Sequence, residues 1–269
     1  MKPTKIHEQV ADAYTEAVTT PGTCCCGGGN PKGVLAKVAG YDAEELATLP
    51  ENAVDNSFGC GNPLAFSDVE TGQAVLDLGS GAGIDVILAA KRVGSTGRVI
   101  GVDMTDAMIE RGRANIEAAG LANVDLRKGM IEELPVDGNS VDWVISNCVI
   151  NLSPDKPRVF AEIARVLKPG GRMRVSDLVV EDLPDAVREN RRLYGSCISG
   201  AISEKEYVAG LRAAGLIDVE VRERITYDVE HLRGLVLSEA DMGSELEAMV
   251  ESLAGKVHSA IFVARKPGA

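Results

Sequence analysis

From residue 74 onward, apolar and polar positions alternate between two periods. "AVLDLGSG" is a continuous apolar run that breaks into glycines, the signature of a buried strand entering a turn. The stretch behind it, "AGIDVILAAKRVG", places Ile84, Ile87 and Leu88 on one helical face and offers Gly94 as a stop. "RVIGVD" predicts a second strand, followed by a helix that Thr105 can cap and that carries Met108, Ile109 and Ile116 before Gly120. "NVDLRKG" and "VDWVISN" read as the third and fourth strands. Ser153 as cap and Pro154 in the first turn predict the next helix, "DKPRVFAEIARVL", which "KPGG" should end. "GRMRVSDLVV" is a fifth strand. Ser203 and Glu206 have the spacing of a capping box, predicting a helix to Gly215. "IDVEVRERITY" and "KVHSAIFVARKP" complete the strands, with "SELEAMVESLAG" a helix between them.

Strands alternating with helices across short turns predict an α/β fold, a mostly parallel seven-stranded sheet with helices on both faces. The first 70 residues differ. Two helical patterns, "IHEQVADAYTEAV" and "YDAEELATL", flank "TTPGTCCCGGGNPKG", too little apolar surface for an independent core. The expected organisation is therefore an N-terminal arm or lid over 1–70 with a cysteine-rich loop, a core over 71–202, and a C-terminal part over 203–269 that completes the sheet and walls the crevice. No internal repeat is present.

Composition narrows the function classes. The chain has 269 residues, 45% hydrophobic and 25% charged, with a net charge of -12. Nucleic acid is a poor partner for so negative a surface, because phosphate binding rests on lysine and arginine. No stretch approaches the roughly 18 apolar residues of a membrane span, and "MKPTKIHEQV" lacks an apolar signal core. The expected location is cytoplasmic, without membrane or nucleic-acid partners, so the six cysteines are expected mainly as thiols.

Gly79, Gly81 and Gly83, with Ser80 among them, stand between a strand and a helix, where missing side chains let a ligand approach the backbone. Asp103 ends the next strand, about 20 residues beyond, where a carboxylate can accept both hydroxyls of a ribose. Ile84 occupies the place where a dinucleotide fingerprint wants a small residue. Asp77, just before the glycines, suits the cationic groups of S-adenosylmethionine better than a pyrophosphate. Over residues 70–180 the chain resembles the class I methyltransferases. That resemblance implies S-adenosylmethionine as cofactor, with Met104 flanking the adenine, Met130 and Ile131 lining its pocket, and Asn147 beside the cofactor. Asn147 begins "NCVI", which lacks the proline pair and aromatic ring with which nucleobase methylases stack an extruded base.

Cys148 follows the fourth strand directly and should project into the crevice at the carboxyl end of the sheet. Cys60, in "NSFGCGNP", and Cys197, in "YGSCISGA", also sit among small residues; their separations exclude a zinc ribbon with paired local ligands. "FGCGNP", "VLDLGSGAGID", "SNCVINLSPDK", "RVLKPGGRM" and "GSCISGA" together resemble the arsenite methyltransferase family over most of residues 55–202. The resemblance implies trivalent arsenic, as arsenite or methylated trivalent arsenicals, held by Cys60, Cys148 and Cys197, with a further cysteine among Cys24, Cys25 and Cys26 whose register is open. It also implies arsenic detoxification and a dithiol reductant, thioredoxin-like or glutathione. The triplet alternatively reads as a thiol tail that scavenges metal outside turnover. His7, His231 and His258 lie outside every motif and are expected to be structural or surface residues. Two other functions fit the same fold: a methyltransferase for carbon or oxygen of a small molecule, and a non-catalytic arsenic-binding protein.

Overall fold

The computed structural model describes residues 4–19, 43–55, 68–190, 197–230, 232 and 244–268. Cys24, Cys25, Cys26, Cys60 and His231 lie outside these residues. The arm contributes α1 (Lys5–Thr19), α2 (Ala43–Ala47) and α3 (Glu51–Asp55). Then follow β1 (Ala74–Leu78), α4 (Ile84–Val93), β2 (Arg98–Asp103), α5 (Asp106–Ala118), β3 (Val124–Lys128) and β4 (Val141–Asn147). The remainder comprises α6 (Lys156–Val166), β5 (Leu167–Val180), α7 (Asp185–Arg188), α8 (Glu204–Ala213), β6 (Ile217–Thr226), α9 (Ser244–Leu253) and β7 (Val257–Arg265).

The seven strands form one sheet in the order β3-β2-β1-β4-β5-β7-β6. The first five are mutually parallel, and β7 runs antiparallel to both β5 and β6. Strand order reverses between β1 and β4, so the crevice for a ligand opens beyond Leu78 and Asn147, as in other doubly wound sheets. One face of the sheet is covered by α6 and α8. There Tyr207 stacks on Phe262, centroids 4.0 Å apart, and Phe160 packs tilted against Tyr207 at 5.1 Å. Leu46, Leu49 and Ala53 of the arm join α4 and α5 on the other face. A third apolar cluster closes the carboxyl end of the sheet. It joins Val10 of α1, Cys148, Leu152, Cys197 and the start of β7.

Local signals account for most boundaries. Gly94, at φ 67°, ends α4, and Ser203 and Glu206 form the reciprocal capping box that begins α8. Three readings change. Asp155, not Ser153, caps α6, accepting from the Arg158 N–H at 3.2 Å with Pro157 in the first turn, because the Ser153 hydroxyl is turned to the Glu132 carboxylate. Thr105 occupies the N-cap of α5 without a side-chain capping bond, its hydroxyl serving Asp103 instead. Helix α6 ends at Val166, and "KPGG" forms the irregular start of β5, where the pairing with β4 shifts register.

Candidate active site

The loop after β1 turns back under β2: the N–H groups of Gly79 and Ser80 both donate to the Val102 carbonyl, at 2.7 and 3.0 Å. Gly79 and Gly81 adopt φ of 66° and 49°, which side chains disfavour. A Cβ on Gly79 would lie 2.4 Å from Val149, whereas one on Gly81 would meet no described residue within 4 Å. Gly79 is thus required by packing, and Gly81 by the space in front of it.

That space is a cavity walled by the loop (Gly79, Ser80, Gly81), by Asp85 at the start of α4, by Asp103, Met104 and Ile131, and by Asn147 and Cys148. Asp103 is anchored from both sides, Oδ2 accepting from the Gly81 N–H at 3.0 Å and Oδ1 from the Thr105 N–H at 2.9 Å. The Thr105 hydroxyl and the Met104 N–H hold the same carboxylate, which fixes its orientation at the cavity wall. Among the described residues the buried Ser80 hydroxyl has no hydrogen-bond partner, an atom left over for a ligand. Met130, Gly83 and Asp77 do not wall the cavity. Met130 is half-buried beside it, Gly83 packs against Gly112, and Asp77 lies buried beneath the loop.

Three buried carboxylates, Asp77, Asp85 and Asp103, make the floor electronegative. Burial pushes the Asp77 carboxyl well above its ordinary range, and the charges of Asp85 and Asp103 add to the effect. Burial also raises Asp103, opposed by the hydrogen bonds it accepts from Thr105 and Gly81. A cationic ligand relieves this repulsion. The fit is to a nucleoside carrying positive charge, which is the chemistry of S-adenosylmethionine.

Cys148 takes the step after β4 in a left-handed conformation, φ 57°, its N–H donating to the Ser176 carbonyl at 2.8 Å. Cys197 is also left-handed, at φ 64°, and its Sγ lies 2.8 Å from the Cys148 carbonyl oxygen. The fold therefore joins two of the three separated cysteines. Cys148 is disulfide-bonded. Behind Cys148 a short 3-10 turn, Ile150–Leu152, is pinned to β5 by Asn151, whose N–H and Nδ2 donate to the Asp177 carboxylate at 3.2 and 2.8 Å. Burial raises the Asp177 carboxyl to about 7. Two backbone segments thus fix the sulfur of Cys148 within reach of the cofactor cavity. Among the described residues no three His, Cys, Asp or Glu side chains gather as a metal site.

Sequence reasoning missed the part of the arm that reaches this cavity. His7 and Tyr14 of α1 wall it, together with Val10. His7 is 3% exposed, and its Nδ1 accepts from the Thr4 N–H at 3.0 Å. Nε2 must then carry the proton, which it donates to Glu132 at 3.0 Å. Spacings of three and four residues place His7, Val10 and Tyr14 on one helical face, a signal that the sequence contained. His258 meets Thr226 Oγ1 at 3.0 Å on the β6–β7 pair, away from the cavity.

A glycine loop at a topological switch point, an acid ending β2 and an electronegative cavity define a nucleoside-dependent methyltransferase of the doubly wound class. A methyltransferase-domain family model matches residues 70–215. The arsenite methyltransferase of Halobacterium salinarum is 42% identical over 233 residues, 81% of this chain and 59% of that one. The human arsenite methyltransferase is 38% identical over 173 residues, 61% of this chain and 46% of that one. Among solved structures, CrArsM, an arsenic (III) S-adenosylmethionine methyltransferase from Chlamydomonas reinhardtii, aligns with a TM-score of 0.65 and 34% identity, over 89% of this chain and 75% of that one. The chain belongs to the arsenite methyltransferase family, and its cofactor is S-adenosylmethionine. It spans about half to three-fifths of the length of these two curated relatives. No helix among the described residues is long and apolar enough to cross a membrane.

Proposed function

We propose that this protein methylates trivalent arsenic, arsenite and its methylated trivalent forms, as an arsenic-detoxifying enzyme. The observation that carries the reading is the position of Cys148. It walls the same cavity as the glycine loop and has the Cys197 sulfur on its carbonyl oxygen. Once its disulfide is reduced, the Cys148 thiol can hold a thiophilic centre such as trivalent arsenic facing whatever occupies the loop.

Asp103 would hold the ribose, Ser80 and the Gly81 backbone the neighbouring atoms, Met104 and Ile131 the adenine, and Asp85 with Asn147 the charged end. Bound in this way, S-adenosylmethionine supplies an electrophilic methyl on a positively charged sulfur. Cys148, Cys197 and Cys60 capture arsenite by exchanging its hydroxyls for thiolates; each As–S bond formed releases one water. Trigonal sulfur ligation leaves the arsenic lone pair free to point at the methyl. Because that lone pair carries no proton, the reaction needs no general base, and alignment supplies most of the rate. The lid role of the arm belongs to the same proposal, since His7 and Tyr14 wall the cavity.

Methyl transfer formally oxidises the arsenic by two electrons, and two cysteine thiols returning them form a disulfide. Cys60 with one of Cys24, Cys25 and Cys26 is one candidate pair, and the disulfide-bonded Cys148 supports a thiol chemistry that reaches the site itself. A cellular reductant of the thioredoxin or glutathione kind restores the thiols. The test is incubation with arsenite, S-adenosylmethionine and a dithiol, reading methylated arsenic. Wild type yields product and Cys148→Ser does not; product from Cys148→Ser at the parent rate overturns the proposal. Methylation of a carbon or oxygen acceptor in place of arsenic favours the small-molecule alternative.

A further inference from the structure

A second cavity opens over the antiparallel end of the sheet and shares no described wall residue with the cofactor cavity. Trp143, Arg172, Arg174, Arg222 and Arg265 wall it. Arg172 and Arg174 stand two apart on β5 and so face the same way, and the register sets Arg172 directly opposite Arg265 of β7. Like charges opposed across a ladder are destabilising unless countercharge is supplied.

Three of the four guanidiniums have it. Arg172 meets Asp68 at 2.9 Å, Arg265 meets Asp218 at 2.8 Å and Arg222 meets Glu220 at 3.2 Å, all three acids being largely exposed on the rim. Arg174 is different. Its side chain is only 3% exposed, and among the described residues both Nε and Nη2 lack a hydrogen-bond partner. Glu223, itself half exposed, stands 3.7 Å from Nη2, beyond hydrogen-bond distance. Leaving two donors of a buried cation unmet is costly. Nε and Nη2 form one edge of the guanidinium, and their parallel N–H groups match two oxygens of a carboxylate or phosphate.

We propose that this cavity binds a small oxyanion, a phosphate or a carboxylate, seated on the Nε and Nη2 edge of Arg174 and surrounded by Arg172, Arg222 and Arg265. The rim of Asp68, Asp218, Glu220 and Glu223 repels an extended polyanion, so the site selects a small ion. Burial pushes the Arg174 pKa below its ordinary value, opposed by Glu223, yet a guanidinium remains protonated at physiological pH.

The experiment is thermal unfolding and calorimetric titration of the full chain with sodium phosphate, with sodium acetate as the carboxylate arm and sodium chloride at matched ionic strength as control. Phosphate or acetate should give a saturable heat on titration and raise Tm with the logarithm of its concentration, by about 3 °C at ten times its Kd. Saturation by acetate alone identifies the ligand as a carboxylate, and by phosphate alone as a phosphate. Arg174→Met should abolish the effect. Arg174→Lys, which keeps charge but loses the fork, should weaken binding at least tenfold. Glu223→Gln should tighten it several-fold, and S-adenosylmethionine affinity should stay unchanged throughout. Wild type responding to neither oxyanion beyond chloride overturns the proposal, as does undiminished binding in Arg174→Met. Should that variant not fold, parent affinity in both Arg174→Lys and Glu223→Gln overturns it equally.

Discussion

Gly81→Ala separates what the glycine loop does for the fold from what it does for the cofactor. An alanine at φ 49° carries a left-handed penalty of roughly 1 kcal/mol, and no described residue lies within 4 Å of the added carbon. For a domain of this size that corresponds to a Tm lower by about 2–4 °C. The new methyl group instead points into the cavity, moving the surface met by the cofactor outward by about 1.5 Å, one carbon–carbon bond. A ligand that had approached the backbone must retreat by that distance, losing contact with the loop and alignment with Asp103. We expect S-adenosylmethionine affinity to fall at least about tenfold, which is about 1.4 kcal/mol. Turnover should fall by about a hundredfold, the usual consequence of a 1 Å misplacement. Gly79→Ala is the contrast. Its Cβ would overlap Val149 at 2.4 Å, so Tm should drop further, and arsenite binding should suffer too because Val149 adjoins Cys148. Calorimetric titration with S-adenosylmethionine, beside thermal unfolding, reads both. Cofactor affinity of Gly81→Ala within twofold of wild type would refute the reasoning, because it would place the ligand away from the loop.

The buried acids predict proton linkage. Asp77 and Asp103 have raised pKa values, so rising pH ionises them in the free protein and a cationic ligand binds the ionised form better. S-adenosylmethionine should therefore bind more tightly as pH rises above the ordinary carboxylate range and release protons measurable in buffers of differing ionisation heat; S-adenosylhomocysteine, without the sulfonium charge, should respond less. The same raised values mean that these groups favour the folded state at low pH and lose that contribution as pH climbs through the folded pKa. Cys148→Ser and Cys197→Ser should each weaken arsenite binding at least tenfold, and Cys197→Ser, whose residue does not wall the cofactor cavity, should leave cofactor affinity unchanged. Pre-reduction with a dithiol should be needed for wild type to bind arsenite fully, and equal binding by untreated protein would contradict this. His7→Ala should weaken cofactor binding several-fold and His7→Gln much less, because glutamine can still donate to Glu132; identical affinities would remove the arm from the cofactor site.

What the sequence made legible was local. The β1 loop, Asp103 on β2 and the Ser203 capping box are each written within a few residues, and each stands where its spacing placed it. What stayed hidden depended on partners far along the chain. His7 meets Glu132 across 125 residues, and no motif announces the pair. Ser153 has every local credential of an N-cap, yet tertiary demand from Glu132 takes its hydroxyl, and Asp155 caps in its place. Asp77 and Asp85 illustrate a finer limit. Both flank the glycines, but only Asp85, at the start of the helix, walls the cavity, while Asp77 stays beneath the loop. Which of two nearby carboxylates faces a ligand is set by side-chain direction, which identity alone does not encode.

The third apolar cluster explains why the cofactor cavity and the thiols form one site rather than two neighbours. Helix α1 belongs to both: His7 and Tyr14 wall the cavity, and Val10 packs in the cluster that contains Cys148 and Cys197. Arg111 of α5 fixes the far end of the same helix, donating to the Val18 carbonyl at 3.1 Å. A displacement of α1 therefore opens the cavity and loosens the packing around both cysteines together. The two cysteines also hold left-handed backbones, a conformation costing of order 1 kcal/mol or more at each, which persists only where surrounding contacts impose it. The Asn151 and Asp177 pin imposes it on one side and the arm helix on the other, so methyl-donor binding and thiol geometry depend on the same few contacts.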